Sequence, residues 1–264
     1  MSRSQACVNP VREGVTETAV FGGMLVGDYG EQRSTPQPGQ PLYLVLADLS
    51  LALKPFASNE KLTLLDYGCG VSPYRHLFPN SIYRRADAMD ADDLDYRIGE
   101  DQSIPEKPET FDLILSTQVL EHVPEPQLYL AECHRLLRRG GRLILSTHGT
   151  FEEHGMPYDF RRWTVEGLKN ELVAAGFDIV EYYRLTTDGR AAAFLFEQYG
   201  GWMLRTQRSL WQLALWYLRR VITKRSAWFH RWCDSTFAAS RVVDASEPGH
   251  TLTIGLLSVC VKRS

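Results

Sequence analysis

Leu62-Thr-Leu-Leu-Asp-Tyr-Gly-Cys-Gly70 decides the fold. An apolar, strand-like run ends on Asp66, and Gly68 and Gly70 follow at once. A buried strand that stops on an acid and turns through two glycines makes room for a ligand at its carboxyl end. That is where open α/β sheets bind nucleotide-like molecules. Upstream, leucines at 42, 46, 49 and 53 share one face and predict a helix over residues 42–53. Downstream, strand patterns fall at residues 82–87, ending on Asp87, then at 111–116, 142–147 and 177–183, with a last strand or pair at 251–261. Between them, Ser72 can cap and Pro73 can open a short helix that Pro79 stops. Pro126 opens a helix whose last turn is expected to hold Arg138 and Arg139 before Gly140-Gly141. Thr164 caps a further helix that ends at Gly176. Strands separated by helices imply a doubly wound, mostly parallel sheet covered on both faces.

The bulk properties narrow the class. A chain of 264 residues with 44% hydrophobic content and a net charge of −3 reads as one large globular domain with an appendage. The mildly acidic total argues against nucleic acid as a partner. The five cysteines are scattered and lack metal-type spacing, so they are expected to be reduced thiols of a cytoplasmic protein. The first residues show no secretory-signal pattern, and no apolar run approaches the roughly 20 residues of a membrane span. Residues 1–40, rich in glycine, proline and polar residues, are expected to form a loosely ordered leader to a domain over 41–264.

Three acidic positions fall at or just after strand ends: Asp66, Asp87 and the pair Glu100-Asp101. An acid about 20 residues beyond the glycines suits ribose hydroxyls. A dinucleotide fingerprint wants G-x-G-x-x-G, yet Pro73 stands where the third glycine should be, and no Gly-Lys-Ser/Thr follows to cradle phosphate. A phosphate-free ligand is therefore favoured.

Leu65-Asp-Tyr-Gly-Cys-Gly70 resembles the first motif of class I S-adenosylmethionine-dependent methyltransferases. Phe111-Asp-Leu-Ile-Leu-Ser-Thr-Gln-Val-Leu-Glu-His-Val123 is similar to the family's strand-four segment, and Leu136-Leu-Arg-Arg-Gly-Gly-Arg-Leu-Ile-Leu145 to its passage into strand five. The resemblance implies a Rossmann-like, seven-stranded sheet with a helical insertion before the last strand. It also implies S-adenosylmethionine as cofactor. Asp66, Gly68, Cys69 and Gly70 would hold its methionine portion, and Asp87, followed by Ala88, its ribose. Glu100 or Asp101, with Gln102 nearby, would face its adenine, and Thr117 and Gln118 would line the sulfonium. Ser72-Pro73 departs from the family, which most often has glycine at the first of these positions, and leaves the loop path open. The rival is a non-catalytic module that keeps the fold and binds the cofactor or a protein.

After strand five comes His148-Gly-Thr-Phe-Glu-Glu-His-Gly-Met-Pro-Tyr-Asp-Phe-Arg-Arg-Trp-Thr164, similar to a variant found in bacterial methyltransferases of glycan and natural-product pathways. It implies methyl transfer to oxygen of a small-molecule, glycan or lipid-linked acceptor. His148, His154 and Asp159 are the candidates for a general base. Against this, Asp159 and Arg162 suit a loop-bracing pair. The spacing of the two histidines and Asp159 matches no ligand pattern, and no metal is expected.

The insertion, residues 190–245, contains a stretch from Trp202 to Trp232 with five of the six tryptophans, seven Lys/Arg and no acid. A +7 segment in a chain of −3 leaves the remainder at −10. Burial against the sheet, a lid or homodimer face, and peripheral contact with an anionic membrane all suit such a segment.

Overall fold

The computed structural model describes residues 26–89, 93–199 and 226–263, with positions 214 and 217. Its sheet has eight strands: β1 (Thr63–Tyr67), β2 (Ile82–Asp87), β3 (Tyr96–Arg97), β4 (Phe111–Thr117), β5 (Leu137–His148), β6 (Phe177–Thr187), β7 (Val242–Asp244) and β8 (Thr253–Lys262). Their order is β3-β2-β1-β4-β5-β8-β6-β7. Strands β3, β2, β1, β4 and β5 run parallel, and β8 enters antiparallel between β5 and β6. The sheet thus has one strand more than the expected seven; β3 and β7, which the strand patterns did not include, are edge strands of two and three residues.

The central strands are apolar on both faces because both are covered. On one face Leu65, Tyr67, Ile114, Leu143 and Leu145 pack against α3 (Pro126–Leu136) and α4 (Val165–Ala174). Their neighbours in sequence, Leu64, Leu113, Leu115 and Ile144, point the other way and meet α2 (Tyr43–Leu53) through Leu49, Ala52 and Leu53. This is the period-2 alternation of a strand applied to two cores. A third cluster joins α2 to the insertion, where α5 (Asp188–Tyr199) and α6 (Ser226–Thr236) contribute Ala191, Phe194, Phe229 and Cys233. The buried Asp48 of α2 fastens them, accepting from Arg190, Arg241 and Thr186. Both flanks of the insertion are thus packed; most of its tryptophan- and arginine-rich middle lies outside the described residues.

Three local expectations change. Within residues 26–40 of the leader, Val26–Ser34 forms a helix, α1; residues 1–25 lie outside the described residues. Helix α3 ends at Leu136, so its last turn holds His134 and Arg135 rather than Arg138 and Arg139. Leu137 is already extended and pairs with Phe111, and after an irregularity Arg142 pairs with Leu113. Arg138 therefore reaches across to Asp112 at 2.7 Å instead of serving a helix end. Finally, Ser72 caps no helix: its φ is +54°, and only a single tight turn, Arg75–Leu77, follows Pro73.

Because β1, β2, β4 and β5 are parallel, Asp66, Asp87, Thr117 and His148 arrive at one rim. The strand order reverses at β1, flanked by β2 and β4, which is where such sheets open a crevice.

Candidate active site

The turn after β1 is built for close approach. Gly68 has φ +80°, and a Cβ there would lie 2.6 Å from both methyls of Val119. The amides of Gly68 and Cys69 donate to the Ala86 carbonyl at 2.9 and 3.0 Å, which binds the turn to β2. At Gly70, φ +49°, a Cβ would meet nothing within 4 Å, so its backbone faces open space. Asp87 accepts from the Gly70 amide at 2.7 Å and the Met89 amide at 3.0 Å, with Ala88 exposed between. A carboxylate has about four acceptor positions, so two remain for a ligand. Arg85 defines the path left open by Ser72-Pro73: it donates to the Gly70 carbonyl at 2.8 Å and to Ser72 Oγ at 3.0 Å.

Asp66 is 3% exposed and accepts from the Tyr83 hydroxyl at 2.6 Å. Burial pushes its carboxyl up to about 6, against the opposing hydrogen bonds from Tyr83 and Ser72. Tyr67 ties the rim together: its hydroxyl donates to the Gln102 carbonyl, and its ring stacks on Tyr129 at 4.6 Å. Of the acidic pair, Asp101 accepts from the Ser103 amide and hydroxyl at 3.1 and 2.8 Å, bonds that hold its carboxyl low. Asp101 thus braces the 99–103 turn, in which Gln102 donates to the Glu100 carbonyl at 3.3 Å, while the Glu100 side chain is exposed. Thr117 is buried at the end of β4, and the Gln118 amide donates to the Ser146 carbonyl at 2.8 Å.

One residue of this half was missed. Helix α1 carries Arg33 to the Thr117 carbonyl at 3.2 Å, with its guanidinium 5.7 Å from the Tyr74 ring centroid. The helix rests on the glycine loop at Gly30, where a side chain would run into Val71. Its polar, glycine-containing sequence gave no periodic signal.

The cluster beyond the ends of β4 and β5 centres on a residue not singled out from sequence, Glu121, which is fully buried in the turn after β4. Its Oε2 accepts from Thr147 at 2.7 Å, and its Oε1 lies 3.2 Å from His148 Nε2. The His148 ring stacks on Phe151 at 4.0 Å and meets His154 edge-on at 5.2 Å, and His154 meets His122 at 4.7 Å. Burial drives His148 well below the usual imidazole range, and the positive side chains around it add to this; burial also lowers His154. Both rings are therefore neutral at pH 7. The motif around Glu121, Leu120-Glu-His122, was visible in the sequence as part of the strand-four resemblance.

Asp159 is placed as a brace rather than a base. Arg162 grips it in a bidentate pair at 2.6 and 2.7 Å, and the His154 amide donates to it at 2.8 Å. Burial would raise its carboxyl, but these partners more than offset that and hold it at about 2. A group ionised so firmly takes no proton from an acceptor at neutral pH. The loop is docked by its backbone, with the Phe160 amide on the Glu121 carbonyl at 2.9 Å and the Tyr158 carbonyl 2.6 Å from His122 Nδ1.

Residues 65–145, from the glycine turn to β5, match the family described as "Methyltransferase domain". The chain carries a class I S-adenosylmethionine-dependent methyltransferase domain. S-adenosylmethionine is the cofactor of that domain. The domain is 31% identical over 115 residues to the Ubiquinone biosynthesis O-methyltransferase of Parvibaculum lavamentivorans, covering 36% of this chain and 43% of that protein. It is 44% identical over 55 residues to the protein of the same name from Pseudomonas aeruginosa, covering 20% and 24%. The chain thus matches less than half the length of these relatives. In structure it resembles the cyclase SpnF, with a TM-score of 0.52 at 19% identity over 86% of this chain and 85% of that one, a likeness of fold. No helix among the described residues is long and apolar enough to cross a membrane.

Proposed function

We propose that the protein transfers the methyl group of S-adenosylmethionine to an oxygen of a small molecule. The observation that carries this is the shared rim: Asp66, the Gly68–Gly70 turn and Asp87 stand beside the cluster of Glu121, His148 and His154 at the ends of adjacent parallel strands. The O-methyltransferase names of its relatives support oxygen as the atom methylated.

In this reading Asp87 and Glu100 hold the ribose and adenine, and Asp66 and the glycine turn hold the methionine end. Cys69, Asp101 and Gln102 shape the backbone around them, and Thr117, Gln118 and Arg33 close the sulfonium end. The acceptor enters beside the 148–164 loop. S-adenosylmethionine so held would supply an electrophilic methyl group to the acceptor oxygen, its sulfur keeping the bonding pair and leaving as the neutral thioether. The acceptor's proton leaves toward the histidine cluster. Placement in line does most of the work, since bringing the two reactants into register removes much of the entropic barrier. A glycan or lipid-linked hydroxyl is the finer reading, supported by the likeness of the 148–164 loop to glycan-pathway enzymes. Peripheral membrane contact or a homodimer face through residues 202–232 is supported by its charge and tryptophan content alone.

Mass spectrometry of cell extract incubated with the protein and methyl-deuterated S-adenosylmethionine tests this. A labelled small molecule carrying the methyl on oxygen is expected; no labelled product, or label on nitrogen or carbon, refutes it.

A further inference from the structure

Glu121, His148 and His154 have a relation that general acid–base chemistry leaves unexplained. One ligating atom from each lies within 4.8 Å of those of the other two. Glu121 Oε1 and His148 Nε2 are 3.2 Å apart, yet among the described residues the buried Glu121 Oε1 has no hydrogen-bond partner. The geometry of that contact is therefore not a hydrogen bond, although the two atoms face each other. His148 Nδ1 is likewise buried without a partner. A buried carboxylate oxygen left unsatisfied is costly, so its place opposite a histidine nitrogen calls for an explanation.

We infer that Glu121, His148 and His154 bind a divalent transition cation of the zinc type. Two imidazoles and one carboxylate are a known donor set for such ions, which leave one position open for water or substrate. With metal–ligand distances of about 2.0–2.1 Å, neighbouring ligands around a tetrahedral ion sit about 3.3 Å apart. Glu121 and His148 already stand at that spacing. His154, on the loop, completes the set by drawing inward. The surroundings orient these ligands: Thr147 holds the other oxygen of Glu121, Phe151 covers one face of His148, and His154 Nδ1 lies 3.1 Å from the Glu152 carbonyl, which leaves its Nε2 as the ligating nitrogen.

The cation's role rests on the reading of the site as an oxygen methyltransferase. With the imidazoles holding the ion, an acceptor hydroxyl in the open position would lose its proton to water more readily and attack as the alkoxide or phenolate. The ion also selects the substrate class: a small molecule whose hydroxyl can reach it.

The test is metal binding to the full-length protein after removal of bound ions by a chelator. Titration with cobalt(II), followed by visible absorption, is expected to give one equivalent bound with tetrahedral-type bands, displaced by zinc. Glu121→Gln and His154→Gln are each expected to weaken binding at least ten-fold. Both keep the fold, because glutamine at 121 still accepts from Thr147 and His154 is partly exposed on a loop. S-adenosylmethionine affinity, measured by calorimetry on the same samples, should stay within two-fold. Absence of stoichiometric cobalt binding, or equal binding by the variants, overturns the metal site. Loss of cofactor binding or methyl transfer in wild type would instead overturn the functional reading on which it rests.

Discussion

Replacing Asp66 with asparagine should make the empty protein more stable while ruining its cofactor site. Asp66 is 3% exposed, and its carboxyl is raised by burial from 3.8 to about 6. The folded pKa thus lies above the unfolded one, so the native state binds the proton more tightly. The resulting stability is present below about pH 4 and is lost as the pH rises through about 6. A shift of roughly two units corresponds to about 3 kcal/mol at neutral pH. Asparagine carries no charge to bury and still accepts from Tyr83, so it escapes that cost. For a chain of this size about 3 kcal/mol raises Tm by roughly 6–12 °C. Thermal melts of both proteins at pH 7.5 and pH 4 measure it: a higher Tm for Asp66→Asn at pH 7.5, and a gap that closes by pH 4. S-adenosylmethionine affinity should fall ten-fold or more, because the sulfonium and ammonium lose a facing carboxylate. A variant destabilised at pH 7.5, or a gap independent of pH, would refute the reasoning.

Other substitutions probe single contacts. Gly68→Ala puts a Cβ 2.6 Å from both Val119 methyls at φ +80°, and should cost about 2–3 kcal/mol in urea melts and abolish cofactor binding. Combining it with Val119→Ala relieves the clash but not the backbone strain, so recovery should be partial. Asp159→Asn breaks the bidentate pair with Arg162; since the carboxyl is held at about 2, below its unfolded value, the stability it contributes is present above about pH 4 and lost as the pH falls through about 2. The loss at pH 7, about 2 kcal/mol, should appear as faster proteolysis of the 148–164 loop. Thr164→Ala removes the side-chain bond to the Gly167 amide, 3.1 Å, and should cost about 1 kcal/mol with activity retained.

The central parallel strands β1, β4 and β5 were legible because each holds a buried apolar run that gives way to polar residues. Residues 82–87 were delimited as they stand in the structure. The Thr164 cap was equally plain, since threonine before a helical pattern has a specific bond to make. Where the reading went astray, long-range pairing overrode local preference. Arg138 and Arg139 look like a helix end, but strand pairing with β4 captures them once Leu137 meets Phe111. Short edge strands carry too few residues to show a period, so β3 and β7 left no signal. Asp66 and Asp87 stand at the rim where the strand pattern puts them, while Glu121 was not singled out. Glu121 and Asp159 are each a single carboxylate among apolar and aromatic neighbours along the chain, and only the fold shows that Asp159 is gripped by an arginine while Glu121 has a buried oxygen facing a histidine.

Calorimetric titration of the wild-type protein and of Asp87→Ala with S-adenosylmethionine tests the central claim most directly. The account predicts one cofactor per chain for the wild type and affinity at least ten-fold weaker for Asp87→Ala, with the melting temperature of the empty protein nearly unchanged because Asp87 lies at the half-buried rim. Absence of binding by the wild type, or equal affinity in the two proteins, would contradict it.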